Sequence, residues 1–102
     1  MYHRFEENKY PSTNIKIVDF IKQIDLIKKN NFKFIHADNF ENSLINLKGE
    51  KKILLTIDDA FKSFYDQAWP ILKNEKIPFL LFVNTRDVGN KGYMNWKQIK
   101  EI

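Results

Sequence analysis

The sequence predicts an α/β fold in which parallel strands alternate with helices along the chain. Short apolar runs alternate with amphipathic segments throughout the 102 residues. The run KKILLTI at 51–57 is a strand candidate that is apolar on both faces, as in the centre of a parallel sheet. No internal repeat or low-complexity segment interrupts this order. The alternation therefore favours one domain with a parallel sheet and helical crossovers.

The first predicted unit is a short strand followed by a helix. MYHRF at 1–5 is the strand candidate. Residues 15–29 are predicted to form a helix because apolar residues recur at helical spacing, with lysines and acids opposite. The apolar stripe consists of Ile17, Phe20, Ile21, Ile24 and Ile27. We expect Ser12, Thr13 or Asn14 to cap this helix and the pair Asn30-Asn31 to end it.

The second predicted unit repeats this order over a shorter length. FKFIHA at 32–37 alternates between apolar and polar residues, as a strand does. Asp38 followed by Glu41 is a carboxylate variant of the capping box, which predicts a short helix through about Leu47. Gly49 then breaks the chain before the central strand.

Two further units follow the central strand. Ser63 with Asp66 three residues later predicts a helix start, and the apolar stripe of that helix is Phe64, Ala68, Ile71 and Leu72. Pro70 lies inside this helix, so we expect a kink or one unmade hydrogen bond. IPFLLFVN at 77–84 predicts a second buried strand. A turn-rich loop, DVGNKGY, then leads to a last helix from Trp96 to Ile102.

The composition excludes several classes of protein. The chain is 43% hydrophobic and 15% aromatic, which is typical of a globular domain and not of a disordered tail. Its net charge of +4 comes from scattered lysines, so we expect no nucleic-acid partner. The absence of cysteine excludes disulfides and thiolate zinc sites. No apolar run approaches the ~18 residues of a membrane span, and no secretory signal is visible, so the default expectation is a cytoplasmic protein.

Polar side chains follow the predicted strands at their carboxyl ends, where parallel α/β folds place their working groups. These residues are His3, His36, the adjacent pair Asp58 and Asp59, and Asn84. Two neighbouring carboxylates repel, so they require a cation, a shared proton or exposure to water. We expect an active-site rim where a cation holds the aspartates. The alternatives stay open, since paired aspartates also cap helices and loop histidines are usually structural.

Residues 54–96 read LLTIDDAFKSFYDQAWPILKNEKIPFLLFVNTRDVGNKGYMNW. A strand ends in two aspartates, a helix ends in Pro-Ile-Leu, the next strand begins with Ile-Pro, and a glycine loop leads to Met-x-Trp. Together with YHRF at 2–5 and FKFI at 32–35, this ordered set resembles the first half of a polysaccharide deacetylase domain (NodB-like, carbohydrate esterase family 4). The resemblance covers essentially the whole chain.

The resemblance implies a fold, an activity and a site. The fold would be the N-terminal half of a distorted (β/α) barrel, with parallel strands and helical crossovers. The activity would be hydrolysis of N-acetyl groups on a sugar or polysaccharide of the N-acetylglucosamine type. By the family pattern, Asp58 is the general base, Asp59 is a ligand of a divalent metal, usually zinc, and His3 lines the substrate pocket.

The sequence departs from the family pattern in two important ways. Ala60 stands where the family usually has glycine, which would cost about 1 kcal/mol if that position needs positive φ. The family's other metal ligands are two histidines on a later segment, and its catalytic acid also lies downstream; here only His3 and His36 occur. A barrel needs ~200 residues or more. We therefore expect residues 1–102 to be a partial deacetylase domain that is inactive without a C-terminal half.

Two other function classes remain as alternatives at this point. A small magnesium-binding phospho-acceptor domain also clusters aspartates at strand ends, but no acceptor aspartate or lysine at a matching strand end is evident. A non-catalytic interaction module could use the scattered lysines, and steep salt dependence of polyanion binding would be its mark.

Overall fold

The computed structural model describes residues 1–45 and 49–102. A 3₁₀ turn at Ala37–Asn39 precedes α2, and a π-helical segment at Phe64–Ala68 precedes α3. The regular elements, in chain order, are β1 Arg4–Phe5, β2 Asn14–Ile15, α1 Ile17–Lys29, β3 Lys33–Phe34, α2 Phe40–Ile45, β4 Lys52–Ile53, β5 Thr56–Ile57, α3 Trp69–Asn74, β6 Leu80–Leu81 and α4 Trp96–Glu101. The predicted α/β order is confirmed.

The strands pair in parallel around the predicted central segment 51–57. This segment forms β4 and β5, of which β4 pairs with β3 and β5 pairs with β6. Tyr2, next to β1, forms a parallel bridge with Ile57, and the Asp58 N–H donates to the Tyr2 carbonyl at 2.8 Å. The carboxyl end of β5 therefore lies between the start of the chain and β6, as a central strand requires.

Aromatic side chains form the middle of the core. Phe5 of β1 meets Phe20 of α1 edge to face, with ring centroids 5.1 Å apart. The ring centroid of Phe64 lies 5.2 Å from that of Phe79, and Phe64 is fully buried. The core thereby joins the first strand to both long helical segments, and it fixes β1 beside β5.

Two predicted helix starts are wrong in detail. Residues 14–15 form β2 with β1, so α1 begins at Ile17, and its first N–H donates to the Glu6 carboxylate at 2.6 Å. None of the residues 12–14 supplies the cap, because Lys16 is the N-cap residue, residues 12–13 lie in a turn, and Asn14 belongs to β2. Ser63 makes no cap hydrogen bond either; its Oγ accepts from the Phe5 N–H at 3.2 Å and joins the helix start to β1.

The short helix α2 only partly matches its prediction. His36 precedes the 3₁₀ turn without a side-chain cap hydrogen bond, and Glu41 lies in the first turn of α2. The predicted end at Leu47 lies outside the described residues.

Pro70 has the expected effect on its helix. It has no N–H to donate to the carbonyl four residues earlier, and the wider π-helical turn lies directly before α3. The predicted apolar stripe is confirmed at Phe64, Ala68 and Leu72, which are all fully buried.

The β6 side of the sheet is open. Among the described strands β6 pairs only with β5, and Phe82 is 52% exposed. A groove of about 590 Å³ runs beside it, lined by Phe79, Leu81 and Val83 together with Ile99 of α4. The prediction of a buried strand at 77–84 is therefore wrong in extent, because only Leu80–Leu81 form a strand and both are half-buried at an open edge. None of the described helices is long and apolar enough to cross a membrane.

Candidate active site

The turn after β5 presents Asp58 and Asp59 in an uncommon backbone conformation. Asp59 has φ 68° and Ala60 has φ 51°, so two successive residues that are not glycine occupy the left-handed region. Aspartate tolerates this region better than most residues, whereas alanine pays roughly 1–2 kcal/mol there. The strain expected at Ala60 for a positive φ is therefore present.

A later loop holds the same turn from one side. The Met94 N–H donates to the Ala60 carbonyl at 2.9 Å, and the Lys62 N–H donates to the Gly92 carbonyl at 2.9 Å. Phe61 and Tyr93 form an antiparallel bridge, and their rings lie 4.9 Å apart. The glycine loop and the Met-x-Trp segment of the motif thus support the two aspartates structurally.

Asp58 lies beside His3 at the ends of two neighbouring strands. The His3 Nε2 is 3.8 Å from the Asp58 Oδ2, and each side chain is 25% exposed. This distance is longer than a hydrogen bond but short enough for the two groups to share one ligand. The Asp58 Oδ1 is buried and has no hydrogen-bond partner among the described residues. A buried carboxylate oxygen without a donor is unfavourable, so this oxygen has an open position for a hydrogen bond.

The other predicted rim residues lie in different surroundings. His36 is exposed and lines the groove beside Phe79. The Asn84 side chain donates to the Asp87 carboxylate at 2.6 Å, within its own loop. Of the four predicted strand ends, the structure brings the first and third into contact, through His3 and Asp58.

Tyr2 and Arg4 flank His3 in the sequence and were not predicted as site residues. Burial raises the pKa of the Tyr2 phenol above its usual value, and the phenol donates to the Gln23 side chain. The Arg4 guanidinium stacks on Phe61, in the turn that carries the aspartates. Neither contact has a local sequence signal, because each joins residues more than 15 positions apart.

Replacing Ala60 by valine is expected to lower the free energy of unfolding by about 2 kcal/mol or more, because the position is buried and strained. Ala60→Gly is the matched control. In Ala60→Gly, relief of about 1 kcal/mol of backbone strain stabilises the folded chain. Loss of about 0.8 kcal/mol of methyl burial and the greater entropy of the unfolded chain act in the opposite direction. We expect its change to stay within about 1 kcal/mol. Urea denaturation measures both, and a neutral Ala60→Val would contradict the turn geometry.

The donor types at this turn fit a divalent cation, but they do not complete a site. Asp58, Asp59 and His3 offer carboxylate oxygens and an imidazole nitrogen, which are zinc ligands in proteins. Within residues 1–45 and 49–102, no group of three or more histidine, aspartate or glutamate side chains could hold a metal ion. Any further ligands would have to come from outside these residues.

Comparisons with known proteins agree on one family. The family model described as polysaccharide deacetylase matches residues 46–102. The poly-β-1,6-N-acetyl-D-glucosamine N-deacetylase of Staphylococcus aureus is 31% identical over 91 residues, covering 81% of this chain and 31% of that enzyme.

Solved structures give the same result over nearly the whole chain. IcaB from Ammonifex degensii is 35% identical with a TM-score of 0.85, covering 98% of this chain and 45% of that one. The Streptococcus pyogenes deacetylase PplD, solved with acetate, is 26% identical with a TM-score of 0.82, covering 99% and 49%. The chain therefore spans less than half the length of these relatives. Its strands and helices correspond to part of the NodB-like fold, as predicted, and the chain belongs to the polysaccharide deacetylase family.

Proposed function

We propose that this chain carries the general base and one metal ligand of a deacetylase that hydrolyses N-acetyl groups on an N-acetylglucosamine-type sugar or polysaccharide. The observation that carries the proposal is the Asp58–Asp59 pair at the carboxyl end of β5, with the unpartnered Asp58 Oδ1 facing no described donor. The relatives named as deacetylases of acetylated amino-sugar polymers support the substrate class.

The two aspartates take different roles in this proposal. Asp59 binds a divalent metal, with zinc the expected ion. The cation would supply Lewis acidity, which polarises the acetyl carbonyl and makes water a stronger acid. Placing one carboxylate on the cation and the other on the water also removes the repulsion between two adjacent negative charges.

Asp58 acts as the general base, and His3 lines the substrate pocket beside it. The Asp58 carboxylate, which is 25% exposed and whose Oδ2 lies next to His3, accepts a proton from the water that attacks the acetyl carbon. The leaving amine then needs a proton from a general acid, which this proposal leaves to residues beyond Asp58, Asp59 and His3. We therefore expect the 102-residue chain to release little or no acetate by itself.

Asp59→Asn is expected to weaken zinc binding by at least about tenfold, because it removes the negative ligand that we assign to the metal. Isothermal titration with zinc, using the product of the complete reading frame, measures this. Asp66→Asn is the matched control, since Asp66 pairs with Lys62 on the exposed side of the following helix. Equal zinc affinity in Asp59→Asn and the wild type would contradict the ligand role.

The activity itself is tested by acetate release from β-1,6-linked N-acetylglucosamine oligomers. The enzyme for this test is the product of the complete reading frame, including any sequence encoded after codon 102. We expect zinc-dependent release of acetate with one free amine for each acetate. Intact N-acetyl groups after prolonged incubation with zinc would contradict the proposed activity.

A further inference from the structure

Arg4 has an unusual environment for a strand residue next to an active site. Its guanidinium carbon lies 3.5 Å from the centroid of the Phe61 ring and 4.0 Å from that of Tyr10. Its Nη1 donates to the Glu7 carboxylate at 2.8 Å, and the side chain is only 17% exposed. The cation is therefore stacked on two aromatic rings and bound to a carboxylate, in the geometry that arginine favours.

The groups around Arg4 belong to segments on either side of the site. Glu7 and Tyr10 lie in the β1–β2 loop, residues 6–13, and the Glu7 N–H donates to the Asn14 side chain at 2.8 Å. Phe61 lies two residues after Asp59, in the turn with positive φ. Arg4 thus connects the β1–β2 loop to the turn that presents the aspartates.

That turn depends on contacts from outside itself. Two successive residues that are not glycine have positive φ there, and such a conformation persists only where the surroundings fix it. The glycine loop supports the turn through Ala60 and Lys62. On the β1 side, the charged side chain of Arg4 contacts this turn through the Phe61 ring.

We infer that Arg4 is a positioning residue for Asp58 and Asp59, acting through Phe61 without touching substrate or metal. This inference rests on the proposed function of the two aspartates. A lysine at this position would keep the charge and could still reach Glu7, but it lacks the planar group that stacks on two rings. Arg4→Lys therefore removes the stack and leaves the charge.

The first test follows the turn directly. Hydrogen exchange by NMR reports on the Lys62 and Met94 amides, whose hydrogen bonds hold the turn. We expect faster exchange at both amides in Arg4→Lys, with unchanged exchange in the middle of α1. Lys9→Met is the matched control, because the Lys9 Nζ lies 5.1 Å from the same Tyr10 ring. Exchange in Arg4→Lys equal to that in Lys9→Met would overturn the inference.

The second test measures whether loss of the Arg4 stack changes the zinc affinity of the aspartate site. Zinc titration of the product of the complete reading frame is expected to show about tenfold weaker affinity in Arg4→Lys, the loss typical of an outer partner of a metal ligand. Phe61→Leu should weaken it similarly, and the double variant should add little, because both act through one contact. One result would overturn the inference and leave the proposed function intact. In that result the parent and Arg4→Lys bind zinc equally well, whereas Asp59→Asn has lost zinc affinity.

The remaining outcome separates the two proposals. If the product of the complete reading frame binds no zinc, or binds it no better than its Asp59→Asn variant, the proposed metal site fails. Hydrogen exchange in Arg4→Lys then tests separately whether Arg4 stabilises the turn. Faster exchange confined to the Lys62 and Met94 amides supports this role, and unchanged exchange refutes it.

Discussion

Replacing Asp58 by asparagine is expected to lower kcat for acetate release by about 10²–10⁴-fold, the usual contribution of a general base. Asparagine has nearly the same shape as aspartate, but its neutral amide cannot take a proton from water. Because Asp58 is not the proposed metal ligand, the zinc affinity of this variant should stay within a few-fold of the parent. Steady-state kinetics with the product of the complete reading frame measures the first quantity, and zinc titration measures the second.

Asp66→Asn serves as the control for this prediction. Asp66 lies eight residues further along the same segment, and its carboxylate pairs with Lys62 at 2.5 Å on the surface. Its loss should leave kcat unchanged. Full activity in Asp58→Asn would refute the base role, whereas equal losses in both variants would point to general damage to the fold.

Phe64→Ala is expected to lower the free energy of unfolding by about 3–5 kcal/mol, because it leaves a cavity the size of a phenyl ring in the core. Phe64 is fully buried and packs against Phe5 and Phe79, with ring centroids 6.1 Å and 5.2 Å away. It therefore joins β1, the π-helical segment and the start of the last strand. A loss of this size is a large part of the total stability of a domain.

Phe82→Ala is the matched control for the core substitution. Phe82 is 52% exposed on the open side of β6, so its truncation should change the free energy of unfolding by less than about 0.5 kcal/mol. Urea denaturation of both variants gives the comparison. Similar losses in Phe64→Ala and Phe82→Ala would contradict the core described for this fold.

Much of the fold could be predicted from the sequence because the signals are local. The apolar run at 51–57 indicates a central strand, and the spacing of Phe20 and Ile24 indicates the buried face of α1, which the structure confirms. The sequence missed β2 because two residues give no periodicity. It also placed the cap of α1 on neighbouring residues, whereas the Glu6 carboxylate reaches the helix from the preceding loop.

The candidate site was predictable in part. His3 and Asp58 were predicted at the carboxyl ends of parallel strands, which lie side by side when the strands are neighbours. The structure places the two side chains next to each other. The same prediction for Asn84 is wrong, because its side chain donates a hydrogen bond to a residue three positions later in its own loop. The stack of Arg4 on Phe61 joins positions far apart in sequence, and only the folded chain reveals it. The assignments of base, ligand and pocket residue remain predictions.

We propose different roles for the two adjacent aspartates: Asp59 binds the metal, and Asp58 acts as the general base. The most direct measurement is anomalous scattering at the zinc edge from crystals of the zinc-loaded product of the complete reading frame. We expect one strong peak about 2.0–2.2 Å from an Asp59 carboxylate oxygen, with both Asp58 oxygens outside the coordination sphere. A peak bound to Asp58 with Asp59 free, or zinc bound away from both, would contradict it.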